Sequence, residues 1–528
     1  MPKPFSDSNS VVTLTDVGFN WPDGSTALSG VTGSFGAGRT GLVGVNGAGK
    51  STLLRLMAGE LAASTGHIST AGEVAYLPQQ LTLDVRASVA ELLGIAERLA
   101  ALRAIESGDA AAVHFDVVGD DWDIEDQARA ALRDIGLGSA GLDRRAGELS
   151  GGEAMLVALT GLRLKAAPIT LLDEPTNNLD RAARAGLTRL VDSWPGVLIV
   201  ASHDTALLEQ MDSTAELYGG RLTVFGGPYN RWRAQLDAEQ AAARAAARAA
   251  EQVVKVEKRQ RTEAETRLAR RNRAAQTAYQ NKRAAKIVMN QNASNAQVSA
   301  GKLRGHLDGR VRDAKADSDA AAARVRRSEQ IRVDLPDPGV PSSRRLAELP
   351  GVDGPIVVQG PERIALDGPN GVGKTTLLTA LLAGAGGRLL TDRVGYLPQR
   401  LDHLDDAVSA FDALSAVGGS EPQAVRAQLA RFLLDADRVA RPIGSLSGGE
   451  RFRVALAQLL LTDPPPQLLL LDEPTNNLDL ASVDQLVEAL GGYRGAFIVV
   501  SHDDDFLGRL GLTRTLAMPR SGELVDAS

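Results

Sequence analysis

Short apolar runs that break off into glycine-rich or acidic turns recur on both sides of a long stretch that has none. Leu42 and Val43 read as a short buried strand running straight into Gly44-Val45-Asn46-Gly47-Ala48-Gly49-Lys50-Ser51-Thr52 and then the helical run LLRLMAGE. Ile169 to Leu172 ends in Asp173-Glu174, the form of a buried parallel strand whose carboxyl end presents two acids. From Arg231 to Ala274 the pattern is different: alanine-rich, free of Gly and Pro, with Arg and Lys at short intervals. That composition predicts one solvated helix, roughly 65 Å long at ~1.5 Å per residue. Asn, Gln and Ser interrupt it between Gln276 and Gly301, and the helical composition returns from Lys302 to Gln330. The expected form is an antiparallel helical hairpin with a basic tip.

The chemistry of the first segment follows from its spacing. Glycines let backbone N–H groups turn around phosphate oxygens, Lys50 reaches the β- and γ-phosphates, and the Ser51 hydroxyl can ligate Mg²⁺ at a helix N-terminus. Asp173 would hold Mg²⁺ through water and Glu174 would orient and polarise the attacking water, because phosphoryl transfer needs mainly positioning and charge stabilisation. An Asp-Glu pair before the polar turn EPTNNLD says little by itself. The whole series, however, occurs twice: Gly368-Pro369-Asn370-Gly371-Val372-Gly373-Lys374-Thr375-Thr376, Gln399 in YLPQR, Ser447-Gly448-Gly449-Glu450, Asp472-Glu473 and His502 answer the first P-loop, Gln79 in YLPQQ, Ser150-Gly151-Gly152-Glu153, Asp173-Glu174 and His203. From serine to aspartate the spacing is 23 residues in one copy and 25 in the other, and from aspartate to histidine it is 30 in both. Glutamine to serine is 71 residues in the first copy and 48 in the second, so an elaborated helical subdomain is expected around Glu91 to Asp126.

Composition narrows the class. The chain of 528 residues is 44% hydrophobic and has no cysteine, which supports two to four cored domains and excludes disulfides, thiolate metal sites and cysteine nucleophiles. The start, MPKPFSDSNS, has no apolar signal core and no window reaches the ~18 apolar residues of a membrane span. A cytoplasmic protein without membrane insertion is expected, any membrane partner being a separate polypeptide. Arg231 to Ser328 holds 23 Lys/Arg against 10 Asp/Glu in a chain of formal charge −7: a basic arm between acidic bodies.

P-loop, glutamine, LSGG, Asp-Glu and SHD, in that order, resemble the ATP-binding cassette ATPases. The resemblance implies an α/β fold of two P-loop cassette domains, residues 1–230 and 331–528, joined by an α-helical hairpin over 231–330. In that family the LSGG helix of one cassette closes over ATP held by the other. Lys50, Ser51, Gln79, Asp173, Glu174 and His203 would then pair with Ser447 and Gly449, and Lys374, Thr375, Gln399, Asp472, Glu473 and His502 with Ser150 and Gly152. Both glutamates and both histidines are implied as catalytic groups, with two ATP and two Mg²⁺ bound; Gln79 and Gln399 sense the ion, and the histidines contact the γ-phosphate. Trp21 sits where the family usually has an aromatic that stacks on adenine, though a lone tryptophan serves equally as core. The second copy has no aromatic before Gly368, so the two sites can be unequal.

Twin cassettes around a basic hairpin, with EPTNNLD after each acidic strand, resemble over essentially the entire chain the ABC-F family of ribosome-associated ATPases. In that family the hairpin enters the ribosomal tRNA exit region and its tip reaches toward the P-site tRNA, so rRNA and tRNA are the implied partners. Candidate contacts are Arg270, Arg271, Arg273, Lys282, Arg283, Lys286, Lys302 and Arg304, although a solvated hairpin is also normally rich in charge. Translation regulation and protection from ribosome-targeting antibiotics both remain open. The alternative is the ATPase subunit of a drug exporter, which has no use for such a hairpin. Zinc-bearing repair ATPases need cysteines, and chromosome-condensing ATPases separate P-loop from acidic strand by far more than the 123 residues between Lys50 and Asp173. With 26 residues after His502, no long C-terminal RNA-binding extension of the sort some members carry is expected.

Overall fold

The computed structural model describes residues 10–79, 84–177, 179–280, 286–326, 335–418, 421–434, 436–476 and 478–527. It divides into two compact units, residues 1–229 with 329–528, and residues 230–328.

Within the first unit each sequence copy builds the same six-stranded sheet. In the first copy the order is Val74–Leu77, Ile169–Asp173, Val197–Ala201, Arg39–Val43, Ser213–Tyr218 and Arg221–Phe225, parallel except for the last pair. The second copy repeats it with Val394–Leu397, Leu468–Asp472, Ala496–Val500, Arg363–Asp367, Arg514–Arg520 and Glu523–Asp526. A three-stranded antiparallel sheet accompanies each, Ser10–Asn20 being central in one and Arg345–Gly351 in the other. The apolar runs are continuous because both faces are covered. Leu468 and Leu470 pack into the cluster with the small sheet's Leu346 and Val358, while Leu469 and Leu471 pack under the helices with Phe452 and Leu486. This strand order brings the ends of Arg39–Val43, Ile169–Asp173, Val197–Ala201 and Val74–Leu77 to one edge, and from those ends emerge the P-loop, the acid pair, His203 and Gln79. Helices Val89–Leu92, Ala96–Glu106, Ala112–Val118 and Ile124–Asp134 occupy the longer interval of the first copy.

The second unit is an antiparallel pair of helices, Tyr229–Gln280 and Lys286–Ala323. Arg310 pairs with Glu257 at 2.6 Å, Arg261 with Asp308 at 2.8 Å, and the Arg326 N–H donates to the Gln240 side chain at 2.8 Å, which fixes the register. Val254, Ala300, Leu307 and Ala314 are buried along the seam. Both arms run farther toward the tip than composition predicts, and the second stops sooner at its other end. The first continues past Ala274 to Gln280, and the second begins at Lys286 inside the polar stretch and ends at Ala323 rather than Gln330. Asn, Gln and Ser cost a helix only a few tenths of a kcal/mol each relative to the best formers, roughly 0.2–0.7 by host–guest scales, and no proline stands there to stop it. Among the described residues no helix is long and apolar enough to cross a membrane.

Candidate nucleotide sites

Each P-loop closes on its own lysine. Gly49 and Gly373, at φ 95° and 106°, open the helices Lys50–Met57 and Lys374–Leu382, a left-handed position that glycine adopts without strain. The Lys50 Nζ donates to the Gly44 carbonyl at 2.7 Å; that of Lys374 donates to Gly368 at 2.5 Å and Pro369 at 3.0 Å. Both lysines are buried, and burial lowers their pKa values against the pull of Glu174 on one and Glu473 on the other.

The acids sit at the adjacent strand ends. Burial raises the pKa of Asp173 and Asp472, opposed by the Ser51 and Thr375 hydroxyls beside them. One carboxylate oxygen of Asp173 and both of Asp472 are buried without a hydrogen bond of good geometry, the state of an oxygen set that fits a divalent cation. Among the described residues no group of three His or acidic side chains would hold a metal alone, so hydroxyl, aspartate and nucleotide phosphate would have to share it. Glu174 and Glu473 both adopt left-handed backbone, φ 49° and 47°, each N–H held by the neighbouring strand at Ala201 or Val500. A non-glycine residue there carries roughly 1–2 kcal/mol of strain. Burial pushes the Glu473 carboxyl up to about 7, with Lys374 holding it down.

His203 Nε2 lies 3.0 Å from Glu174 Oε1 and 3.1 Å from Lys50 Nζ; His502 Nε2 lies 3.4 Å from Glu473, 3.2 Å from Lys374 and 2.9 Å from Asn370 Oδ1. A ring nitrogen cannot donate to the glutamate and accept from the ammonium at once. A phosphate oxygen arriving between lysine and histidine would accept from both and resolve the conflict. In the second copy a cavity of about 300 Å³ is walled by Lys374, Thr375, Thr376, Gln399, Asp472, Glu473 and His502.

The match to known proteins decides the family. The model described as ABC transporter matches residues 28–177 and 356–476. Among similar proteins are the tylosin resistance ATP-binding protein TlrC of Streptomyces fradiae, 34% identical over 91% of this chain and 92% of the relative, and the ATP-binding protein Uup of Caulobacter vibrioides, 30% identical over 92% and 74%. The chain is an ABC-F type ATP-binding cassette protein. ATP hydrolysis is the general activity of that family. In fold it resembles the archaeal ribosome recycling factor solved with a ribosomal stalk protein, at TM-score 0.55 and 21% identity over 95% of this chain and 87% of that one.

The signature residues of this ABC-F protein open helices. Ser150 and Ser447 cap Gly151–Lys165 and Gly448–Leu460, with Glu153 and Glu450 completing reciprocal capping boxes. A Cβ on Gly151 or Gly448 would meet nothing within 4 Å, so the backbone there is open to a ligand; one on Gly152 would meet Ala183 at 3.0 Å. Ser150, Gly151 and Gly152 do not line the second copy's cavity, to which the first copy contributes Leu179. Among the contacts that cross between the copies are those of two aspartates that sequence reasoning left unassigned. The Asn46 N–H donates to Asp479 at 2.7 Å, and that of Asn370 to Asp180 at 3.5 Å. The signal was visible: both aspartates close the repeated EPTNNLD. Each also caps the helix that follows it, at Ala183 and Ser482. Asp479→Ala is expected to lose about 1–2 kcal/mol from the lost cap, and to weaken MgATP binding more than Asp479→Asn does. Urea unfolding and nucleotide titration check this.

Trp21 is half-buried and packs edge-on against Phe19, ring centroids 5.0 Å apart, at the turn before Thr26–Gly36; exposed Val352 occupies the corresponding turn of the second copy. Gln79 is exposed just past Val74–Leu77. Two tyrosines escaped notice, Tyr76 and Tyr396 of the YLPQ segments, the first 3.4 Å from Asp173. After the signature motifs Ala154 and Met155 are buried in the first copy, whereas Arg451 of the second pairs with Asp406 at 2.5 Å. On the hairpin Arg270, Arg271, Arg273, Lys302 and Arg304 are exposed, Lys286 opens the second arm, and Lys282 and Arg283 lie outside the described residues.

Proposed function

We propose that this chain binds two MgATP between cassettes spanning 1–230 and 331–528, hydrolyses them, and uses the closing and opening to work on the ribosome through the hairpin at 231–330. Lys50 and Lys374 hold the phosphates, Ser51 with Asp173 and Thr375 with Asp472 hold the Mg²⁺ ions, Gln79 and Gln399 sense them, and Glu174 and Glu473 polarise water with His203 and His502 on the γ-phosphate. Ser447 and Ser150, with the following glycines, complete the sites on closure. A cytoplasmic location follows from that partner.

The observation that carries the ribosomal role is the charge pattern of the hairpin. Between Glu265 and Asp308 stand nine Lys/Arg and not one carboxylate. A merely solvated hairpin mixes its signs, as the lower part of this one does with Arg259–Glu263 and Arg261–Glu265 pairs. A basic end with no carboxylate of its own suits phosphate backbones, which demand charge and not sequence reading. The relative named for tylosin resistance favours a drug-resistance role over general regulation.

The test is sedimentation of the Glu174→Gln, Glu473→Gln protein with purified ribosomes, with and without ATP, across a salt series. ATP-dependent co-pelleting that weakens as salt rises supports the reading. Protein left in the supernatant at low salt with ATP bound overturns it.

A further inference from the structure

The contacts between the two copies are not symmetric. Arg181, immediately after the capping Asp180, reaches across to the second copy, where its guanidinium meets Asp367 at 3.1 Å and Asp504 at 2.5 Å. Asp367 directly precedes the second P-loop, and Asp504 begins the short helix after His502. The duplication supplies its own control. The positions equivalent to Arg181, Asp367 and Asp504 in the opposite copy are Leu480, Val43 and Thr205, none of which carries charge. Among the described residues the ion-pair cluster therefore exists at the site built on Lys374 and has no mirror image at the site built on Lys50.

The turns before the second strand of each copy differ in the opposite sense. The turn that carries Trp21 in the first copy carries Val352 in the second, so the site without an aromatic is the one with the cross-copy cluster. We infer that Arg181, Asp367 and Asp504 form a one-sided clamp that keeps the copies engaged at the Lys374 site through the nucleotide cycle, so that opening and exchange occur first at the Lys50 site. The inference rests on the two nucleotide sites described above and adds which of them releases product first. Arg181 is a positioning residue: it holds the strand end leading into the P-loop and the helix after His502 against the turn that carries Asp180, and it does not line the cavity around Lys374.

The experiment is stopped-flow release of a fluorescent ribose-labelled ADP from the full chain. Release from the parent protein should be biphasic, with Lys374→Ala deleting the slow phase and Lys50→Ala the fast one. Arg181→Leu, which installs the mirror-position residue, should accelerate the slow phase roughly three- to tenfold, the range that two part-exposed ion pairs allow. It should also remove the slow phase's acceleration by NaCl, because screening acts only where charges remain. The fast phase and the binding of two nucleotides should not change. Arg181→Lys should restore part of the slow phase, and Asp504→Asn on top of Arg181→Leu should add little. A single-phase parent, an unchanged slow phase in Arg181→Leu, or equal acceleration of both phases overturns the clamp. If labelled ADP fails to bind the parent at all, the nucleotide-site reading falls and the clamp with it.

Discussion

Replacing Glu174 and Glu473 together by glutamine is expected to lower ATP turnover by at least about 100-fold, the lower range for loss of a general base, while MgATP still binds. Gln is nearly the size of Glu, keeps an oxygen that accepts from the His203 or His502 ring, and leaves the backbone N–H bonds to Ala201 and Val500 unchanged. What disappears is the charge proposed to polarise the attacking water. Lys50 and Lys374, the proposed phosphate ligands, are untouched, so affinity should stay within a few-fold and the closed pair should accumulate. Because the two sites differ around Trp21 and Arg181, the single variants should not be equivalent: Glu174→Gln stops the site expected to exchange faster and should cost more steady-state turnover than Glu473→Gln. Phosphate release with filter binding separates the effects. Undiminished turnover in the double variant removes both glutamates from the chemistry.

Much of this was legible in the chain because it is local. Ile169 to Leu172 reads as a strand buried on both faces since nothing polar interrupts it, and the P-loop announces itself since only glycines fit its turns. Duplication made each motif its own control. What escaped notice was of two kinds. Asp180 and Asp479 lay in a segment already noticed, but their bonds to Asn370 and Asn46 cross between copies, and a capping aspartate has a sufficient local reason to exist. Arg181 was beyond reach, because its partners Asp367 and Asp504 are 186 and 323 residues away and pair with it only through the facing of the copies. The hairpin erred in the other direction. Composition marked Gln276 to Gly301 as an interruption, whereas the arms run helical to Gln280 and again from Lys286, since packing of one arm on the other outweighs small differences in propensity.

Exchanging Arg270, Arg271 and Arg273 for glutamine is expected to weaken ribosome binding by roughly tenfold or more near 0.1 M salt and to flatten the logarithmic salt slope by about 0.7–0.9 per cation removed, with basal ATPase unchanged. The register fixed by Glu257 with Arg310 and Arg261 with Asp308 puts these three arginines beyond the last acidic residues of either arm. Lys302 and Arg304 fall roughly level with Glu265 and Glu263, carboxylates that pair with Arg259, Arg261 and Arg267 of their own arm. The surroundings there are less positive than around the three arginines, so glutamine should cost less. That difference is the informative part of the measurement. A generic attraction between a basic arm and RNA would make all five cations interchangeable, and both sets would then shift the salt slope alike. Loss concentrated in Arg270, Arg271 and Arg273 would mean that the end of the hairpin enters a phosphate-lined space while its lower part stays outside. Retention of binding in both sets would reduce the excess charge to a means of keeping two long helices in solution.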